Sequence, residues 1–569
     1  MIQDLTWAIG GEAGFGIISA GSILAKTFSR DKYGVIATNE FPSLIRGGHN
    51  FVSVRISSRE IFAPKSTIDI LVALNKETVV FHKKQLAHDA FILYDPKDYE
   101  WKQEEVGSGV TLIAIPFSGA AMKNTIALGA TMVFLGKELP FLTSVIKDLF
   151  VKKGEEVINE NIKIAEEGYN YVKSNFAQVM SHILAPGEMK DPKVIMNGNE
   201  AVGLGAIAGG MKFAAIYPMT PINSLIPLFT DNAKKFNIVY KQPEDEIAGI
   251  NMAIGASLAG ARSMVATSGG GFALMVEAVS MTGIMEVPIV IDLGMRPGPA
   301  TGMPSWSEQG ELHMAIYAGH GEFPRIVLAP GDVEEGYMLT KKAFDLADEF
   351  HIPVIILTDK YFDETQWQLS ESVVRDMRQA VSTTIVNASD VKDTPKFKRY
   401  SLNTQTGVSM RSLPGMKHGE YLANSYEHEE DGFTTEYAEM RVAQVDKRLK
   451  KAQAILGKAF APVVYGSDVA DVTFLSFGSL KGVMRETIET LNKSGKKVKH
   501  MHFSWVYPMP SNIGTMLAKE KRLISIEQNA TGQLASVIKE ATGMTIKEKW
   551  LKYDGRQWTV EEILEKYGR

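Results

Sequence analysis

Cysteine is absent from all 569 residues. Without thiolates the chain cannot ligate an iron–sulfur cluster in the usual way or build a cysteine-based zinc site. The 11 histidines show no His-Glu-x-x-His or comparable ligand spacing, so no metal is expected, and His418 and His428 are expected to be solvated loop residues. Charge of one sign is not in excess: the net value is −5 with no long basic run, which gives no electrostatic case for nucleic acid. No apolar stretch approaches a membrane span. The opening Met1-Ile-Gln-Asp-Leu-Thr-Trp7 lacks the charged-then-apolar layout of a signal peptide, so the chain is expected to be cytoplasmic. Short-period repeats and low-complexity tracts are also missing.

The apolar fraction is 45%, ordinary for globular protein, and the length is too great for one core, so roughly three or four domains are expected. Strands are predicted at 6–10, 70–74, 91–94 and 110–116, with a helix over 154–173, in an α/β unit covering 1–178. The pattern weakens through Ala185-Pro-Gly and Asp191-Pro, which places a linker at 179–195. A second α/β unit, 196–375, carries short, nearly continuous apolar runs at 213–217, 263–267, 288–293, 326–329 and 353–358. Such runs, separated by helices, argue for parallel sheet buried on both faces. Residues 376–460 turn polar, with an acidic turn at 427–432 and a charged helical run at 441–451, and read as an extended connection. A third α/β unit, 461–569, restarts with strands at 472–477, 498–503 and 523–527.

The most informative stretch is Ala214-Ala-Ile-Tyr-Pro-Met-Thr-Pro221, followed by Gln242-Pro-Glu-Asp-Glu-Ile-Ala-Gly249. Prolines stiffen the end of an apolar strand and hold Thr220 at a loop tip where a ligand can meet it. The acidic cluster opens a helix rich in small residues, so a carboxylate there is partly desolvated and suited to share a proton with a heterocycle. The same residues also allow a plainer role, with Glu244 and Asp245 favouring a helix N-terminus and Thr220 capping a turn. Near the N-terminus, Gly10-Gly-Glu-Ala-Gly-Phe-Gly-Ile-Ile-Ser-Ala-Gly21 follows a strand and opens a helix, where backbone amides can meet an anion. A tight turn without ligand remains the alternative, and the dinucleotide fingerprint fits poorly.

Together these stretches resemble the thiamine-diphosphate-dependent 2-oxoacid:ferredoxin oxidoreductases, whose signatures are Tyr-Pro-Ile-Thr-Pro and then Glu-Asp-Glu. Matched residue by residue, the resemblance implies that Glu246, with Glu244 as the nearby alternative, hydrogen-bonds the aminopyrimidine and promotes its imino form, the step that generates the cofactor's nucleophile. It places Thr220 beside the thiazolium and the 2-oxoacid. Tyr217 and Pro218 flank the cofactor, and Thr267-Ser-Gly-Gly-Gly-Phe-Ala-Leu-Met275 matches the cofactor-domain turn, with Ser268 and Gly269 as contacts. The stretch Arg296-Pro-Gly-Pro-Ala-Thr-Gly-Met-Pro-Ser-Trp-Ser-Glu-Gln-Gly-Glu311 is similar to Arg-x-Gly-Pro-x-Thr-Gly-x-Pro-Thr-Arg/Lys-x-Glu-Gln. An arginine after an apolar strand and ahead of a proline-stiffened loop suits a carboxylate, so Arg296 and Ser305 are assigned to substrate. Ser305 replaces Thr and Trp306 replaces the basic residue, which leaves the preferred acid open.

Gly11, Gly14 and Gly16, with Arg46 of Arg46-Gly-Gly-His-Asn50, resemble the gamma domain implicated in coenzyme A handling, although Phe15 stands where Gln is common. Leu523-Ile-Ser-Ile-Glu-Gln-Asn-Ala-Thr-Gly-Gln-Leu534 resembles the transketolase C-terminal-like domain, where Glu527 and Asn529 are expected to secure a sheet edge and a subunit contact rather than act in catalysis. The family holds the diphosphate through Mg²⁺ on a Gly-Asp-Gly turn, and no Gly-Asp-Gly occurs here. The implied fold is therefore a gamma domain, a pyrimidine domain and a C-terminal domain in one alpha chain. A separate beta subunit is implied to carry Mg²⁺ and a [4Fe-4S] cluster and to share the thiamine diphosphate. The implied reaction joins a 2-oxoacid such as pyruvate or 2-oxoglutarate to coenzyme A, giving acyl-CoA, carbon dioxide and reduced ferredoxin, reversibly. A nicotinamide-linked oxidoreductase using the N-terminal glycine turn explains only residues 10–21. A non-catalytic assembly subunit of the same fold is the other alternative, against which Thr220, Glu246 and Arg296 together speak.

Overall fold

The computed structural model describes residues 1–42, 48–117, 122–176, 183–191, 193–374, 384–391 and 396–569. They form two compact units, one of residues 1–197, 364–373 and 559–569, the other of residues 198–363 and 374–558. Three sheets run through them, with eight, seven and five strands.

The eight-stranded sheet belongs to the first unit. The strand Asp4–Glu12 pairs in parallel with Ile68–Ala73 and antiparallel with His49–Ser57. Leu86–Tyr94 and Thr111–Ala114 extend the parallel side, while Gly34–Glu40 extends the antiparallel side. The expected boundary at 375 is crossed, because Gln366–Ser370 returns to this sheet between Gly34–Glu40 and Lys193–Asn197. Gln368 secures it: its amide donates to Tyr33 O at 2.8 Å and its Oε1 accepts from Val35 N at 2.9 Å. Part of the expected linker is also bonded to this unit, with Ala185 O accepting from Tyr33 at 2.7 Å and Met189 N donating to Lys32 O at 3.0 Å.

Helices Lys123–Phe134 and Glu155–Asn175 press together through paired glycines. A methyl on Gly129 would sit 1.9 Å from Ala165 O, and one on Gly168 would sit 2.1 Å from Ile126 O. Backbone cannot retreat as a flexible side chain can. Gly168→Ala is therefore expected to cost about 1–3 kcal/mol or more, read as faster hydrogen exchange of the buried strand amides of this unit; unchanged protection contradicts the contact.

In the second unit the seven-stranded sheet runs 505–507, 326–328, 353–359, 289–295, 263–268, 213–215, 239–241 across its width. Its central strands Ser263–Ser268, Ile289–Met295 and Pro353–Asp359 are parallel and buried along their whole length, as continuous apolar runs require when helices cover both faces. The five-stranded sheet centres on Val472–Phe477, and its Leu475 and Phe477 pack in one core with Ile291 and Leu293.

The connection is more deeply built in than its polarity suggests. Helix Ala438–Leu456 buries Lys447 and Lys451 against Glu286, the left-handed C-cap of helix Gly269–Met285. Burial raises the Glu286 carboxyl, but Lys447, Lys451 and Arg399 hold it well below the usual range, and burial brings Lys451 down to about 8. His428, expected to be solvated, is buried, lying 3.8 Å from the Tyr400 ring and 3.0 Å from Tyr426 O. Burial lowers the pKa of its ring, whereas His418 is exposed. Among the described residues no helix is long and apolar enough to cross a membrane.

Candidate functional site

Three ties fix the loop that carries Thr220. Asn199, fully buried, donates through Nδ2 to Pro221 O at 2.8 Å, and Arg296 Nη1 donates to Thr220 O at 2.9 Å. Gly294 lets the loop lie directly on the strand Ile289–Met295, since a methyl there would meet Pro221 Cγ at 2.8 Å and Asp363 Oδ2 at 2.9 Å. Tyr240 adds a bond to Ile216 O at 3.2 Å. Thr220 is thus half-buried and tied to Arg296, while Tyr217 and Pro218 are exposed beside it.

Glu246 is the first residue of helix Glu246–Leu258. Asp245 caps that helix, accepting from Ala248 N at 2.9 Å, and Glu244 points to solvent. The three acids therefore divide their work: only Glu246 is buried, 4% exposed, and its Oε1 has no hydrogen-bond partner. Its carboxylate lies against the N-terminal turn of helix Gly269–Met285, where a methyl on Gly271 would come within 2.4 Å of Glu246 Oε1 and 2.0 Å of Thr267 Oγ1. Thr267 Oγ1 and the N-cap Ser268 Oγ are buried without partners as well. A buried carboxylate and two hydroxyls are thus left unsatisfied around one glycine, and each costs free energy unless a polar group bonds it.

Gly269, the first residue of the same helix, faces a second acid: a methyl there would sit 2.6 Å from Glu311 Oε1. Glu311 ends the loop that begins at Arg296. Burial and the neighbouring Glu308 push its carboxyl up to about 8, against the opposing pull of Arg296. Arg296 is 9% exposed; burial lowers its pKa and Glu311 acts in the other direction. Contacts and charge thus link residues in a row, from Thr220 to Arg296, Glu311, Gly269, Gly271 and Glu246, of which Thr220, Arg296, Gly269 and Glu246 were assigned from the sequence.

The far side of the loop is anchored on both the seven-stranded and the five-stranded sheet. Ser307 Oγ donates to Asp359 Oδ1 at 3.3 Å, Gln309 Nε2 donates to Phe477 O at 3.1 Å, and Gln309 N donates to Gln528 O at 2.7 Å. Ser305 is buried in the same stretch. Asn529 donates to Gln309 O at 3.2 Å and to Glu527 Oε2 at 2.9 Å, while Asn529 Oδ1 accepts from Gly532 N at 2.7 Å. Glu527 and Asn529 therefore secure the loop as well as the helix Gln533–Thr542. Trp306 lies under the Arg556 guanidinium, 3.1 Å from ring centre to Cζ, so a cation reaches this place from the C-terminal segment instead of from the loop.

Residues 204–447 match the family described as pyruvate flavodoxin/ferredoxin oxidoreductase, thiamine diphosphate-binding. Residues 6–171 match pyruvate ferredoxin/flavodoxin oxidoreductase, and residues 470–563 match pyruvate:ferredoxin oxidoreductase core domain II. A 2-oxoacid:ferredoxin oxidoreductase subunit alpha from a Sulfolobus species is 31% identical over 99% of this chain and 96% of its own length. The chain belongs to the 2-oxoacid:ferredoxin oxidoreductases. The subunit alpha of the second such enzyme of Aeropyrum pernix is 31% identical over 97% of this chain and 95% of its own. A solved 2-oxoglutarate:ferredoxin oxidoreductase from Magnetococcus marinus, with 2-oxoglutarate, coenzyme A and succinyl-CoA bound, is 32% identical and superposes over 100% of this chain and 99% of that one with a TM-score of 0.91.

In this alpha subunit of the oxidoreductases the residues present fit the aminopyrimidine of thiamine diphosphate, because Glu246 Oε1, Thr267 Oγ1 and Ser268 Oγ are all unsatisfied. Sequence reasoning overlooked Glu311, Asn199 and Asp292. Asp292, on the strand that precedes Arg296, is fully buried, and burial raises its pKa to about 7 against the opposing effect of the Thr358 hydroxyl. A carboxylate inside an apolar run, Ile289-Val-Ile-Asp-Leu, was the available signal. In the first unit Gly14 and Gly16 both have positive φ and form the turn that opens helix Ile17–Arg30, with Gly11 buried before it. Arg46 lies outside the described residues.

Proposed function

We propose that this alpha subunit supplies the pyrimidine half of a thiamine-diphosphate site and the arginine that receives the 2-oxoacid. The complementary beta subunit supplies the Mg²⁺–diphosphate half and the [4Fe-4S] cluster that passes electrons to ferredoxin. The observation that carries this reading is Glu246, buried with one free oxygen against Gly271. When bound, the cofactor supplies the carbon nucleophile and electron sink that 2-oxoacid decarboxylation needs. The chain's own residues do the rest. Glu246 would hold at Oε1 the proton shared with the pyrimidine, and the Ser268 and Thr267 hydroxyls would be available to its polar groups. Arg296, oriented by Thr220 O, holds the substrate carboxylate through its remaining N–H groups.

One further observation supports a partner over this site. Ile247, Met252 and Leu274 are 49%, 42% and 51% exposed on the helices that begin at Glu246 and Gly269. Apolar side chains beside unsatisfied polar groups suit a second subunit's surface. In the first unit, the turn at Gly14 and Gly16 leaves the amides of helix Ile17–Arg30 without a side-chain cap, with Lys123 Nζ 5.4 Å from the Phe15 ring. Uncapped helix amides suit the phosphates of coenzyme A, while Lys123 itself pairs with Asp98 at 3.3 Å.

The expected result is that the purified chain is colourless and does not oxidise 2-oxoacids, whereas a complex with a beta subunit reduces ferredoxin in the presence of 2-oxoacid and coenzyme A. Iron–sulfur absorbance or 2-oxoacid oxidation by the chain alone contradicts the division of the site.

A further inference from the structure

The loop that carries Arg296 leaves the sheet and returns to it at one buried carboxylate. Asp359, the last residue of the strand Pro353–Asp359, pairs in register with Met295 and so lies across the sheet from the residue before Arg296. The loop then comes back to it. Ser307 Oγ donates to Asp359 Oδ1 and Gln309 Nε2 to Asp359 Oδ2, each at 3.3 Å, while Ser307 Oγ itself accepts from Tyr361 N at 3.2 Å. Two donors come from outside the loop, Phe362 N on Oδ1 at 3.0 Å and Ser479 Oγ on Oδ2 at 2.6 Å. Asp359, Ser307, Gln309 and Ser479 are all buried, where water competes little for such bonds. Gly478, at φ 60°, lets Gln309 come this close: a methyl there would sit 2.8 Å from Gln309 Nε2. Burial raises the Asp359 pKa, and the bonds from Ser479, Phe362, Gln309 and Ser307 act in the opposite direction.

We propose that Asp359 is a positioning residue for the 2-oxoacid: by holding the loop's return at Ser307 and Gln309 beside its departure at Met295, it fixes the direction in which the Arg296 guanidinium leaves the sheet. This deepens, and rests on, the reading that Arg296 holds the substrate carboxylate. The guanidinium has its own tie to Thr220 O at 2.9 Å. A loop released from Asp359 can turn about that tie and lose the alignment that two parallel bonds to a carboxylate require. A carboxylate is the group the position calls for, because every partner of its two oxygens donates. Asparagine replaces one acceptor by a donor. Phe362 N is backbone and cannot turn away, so the new amino group takes the Oδ2 side and meets Gln309 Nε2. Gln309 cannot turn its oxygen there without giving up Phe477 O, 3.1 Å from Nε2. The bond lost is therefore one that holds the loop.

The test uses the reconstituted alpha–beta complex, with kcat and KM for pyruvate and 2-oxoglutarate measured at saturating coenzyme A, and for coenzyme A at saturating 2-oxoacid. Asp359→Asn raises KM for the 2-oxoacid about tenfold, the effect of losing one buried bond to a charged group, while kcat and the KM for coenzyme A stay within about twofold of wild type. Ser307→Ala, which deletes only the loop's hydroxyl, raises the same KM by a smaller factor and decides the matter if Asp359→Asn does not assemble. Ser476→Ala is the control for stability alone: it removes a buried bond to His500 at 2.8 Å on the neighbouring strand, lowers the melting temperature and moves neither KM. Unchanged KM for the 2-oxoacid in Asp359→Asn and Ser307→Ala overturns the proposal. So does an equal rise in the KM for coenzyme A, or an equal rise in Ser476→Ala, since either makes the effect a general loosening. If Arg296→Lys raises KM for the 2-oxoacid while the Asp359 and Ser307 variants do not, only the role of Asp359 fails. If Arg296→Lys leaves that KM unchanged, the underlying substrate reading fails.

Discussion

Glu246→Gln lowers turnover of the reconstituted complex by roughly two to four decades, the range expected when a positioned acid–base group is lost. Glutamine keeps the size and planarity of the side chain, so it occupies the same space beside Gly271 and leaves the Asp245 cap of the helix untouched. What it removes is the ionisable oxygen at the one position of the acidic cluster that is buried. Stability is therefore expected to change little, and binding of the 2-oxoacid at Arg296 is expected to be retained. Glu244→Gln serves as the control, since Glu244 is exposed and its loss leaves the rate unchanged. A variant pair behaving the other way round, with Glu244 essential and Glu246 dispensable, moves the acid–base role two positions along the chain.

Arg296→Lys lowers kcat/KM for the 2-oxoacid by more than it affects coenzyme A. The guanidinium has two duties, one N–H fixed on Thr220 O at 2.9 Å and the others free for a carboxylate, and its planar fork serves both at once. Lysine brings a point charge that can satisfy one of them. Breaking a buried charge-assisted contact costs about 2–5 kcal/mol, and because lysine keeps the charge the lower end applies, roughly 30- to 100-fold in kcat/KM. Steady-state kinetics with coenzyme A and 2-oxoacid varied separately decide it. Equal losses for both substrates, or none, place Arg296 outside the substrate pocket. Trp306 is a weaker lever on substrate choice than its place in the loop suggests, because its ring is covered by Arg556.

The parallel strands of the second unit were legible because each is buried along its whole length and so reads as an unbroken apolar run, as in Ser263–Ser268 and Pro353–Asp359. Gly34–Glu40 and Gln366–Ser370 were not, since they are short, partly polar and held by partners far away in the chain, such as Gln368 on Tyr33 O. Burial of charge was hidden for the same reason. Lys447 and Lys451 look like a solvated helix face until Glu286, which lies on another helix's end, supplies the countercharge. At the site, Thr220, Glu246 and Arg296 stood out because their flanking prolines and small residues carry the local geometry. Glu311 lies in the same stretch as Arg296, but its contact with Gly269 and the push of Glu308 on its carboxyl come from the fold, which spacing does not express.

The central claim is that this chain holds half of a cofactor site, and calorimetric titration with thiamine diphosphate and Mg²⁺ tests it most directly. The chain alone is expected to show no saturable binding, because it lacks a Gly-Asp-Gly turn, while the complex with a beta subunit binds about one equivalent per site, more weakly when Glu246 is replaced by alanine. Stoichiometric binding of thiamine diphosphate by the chain alone, unchanged by Glu246→Ala, would contradict the account.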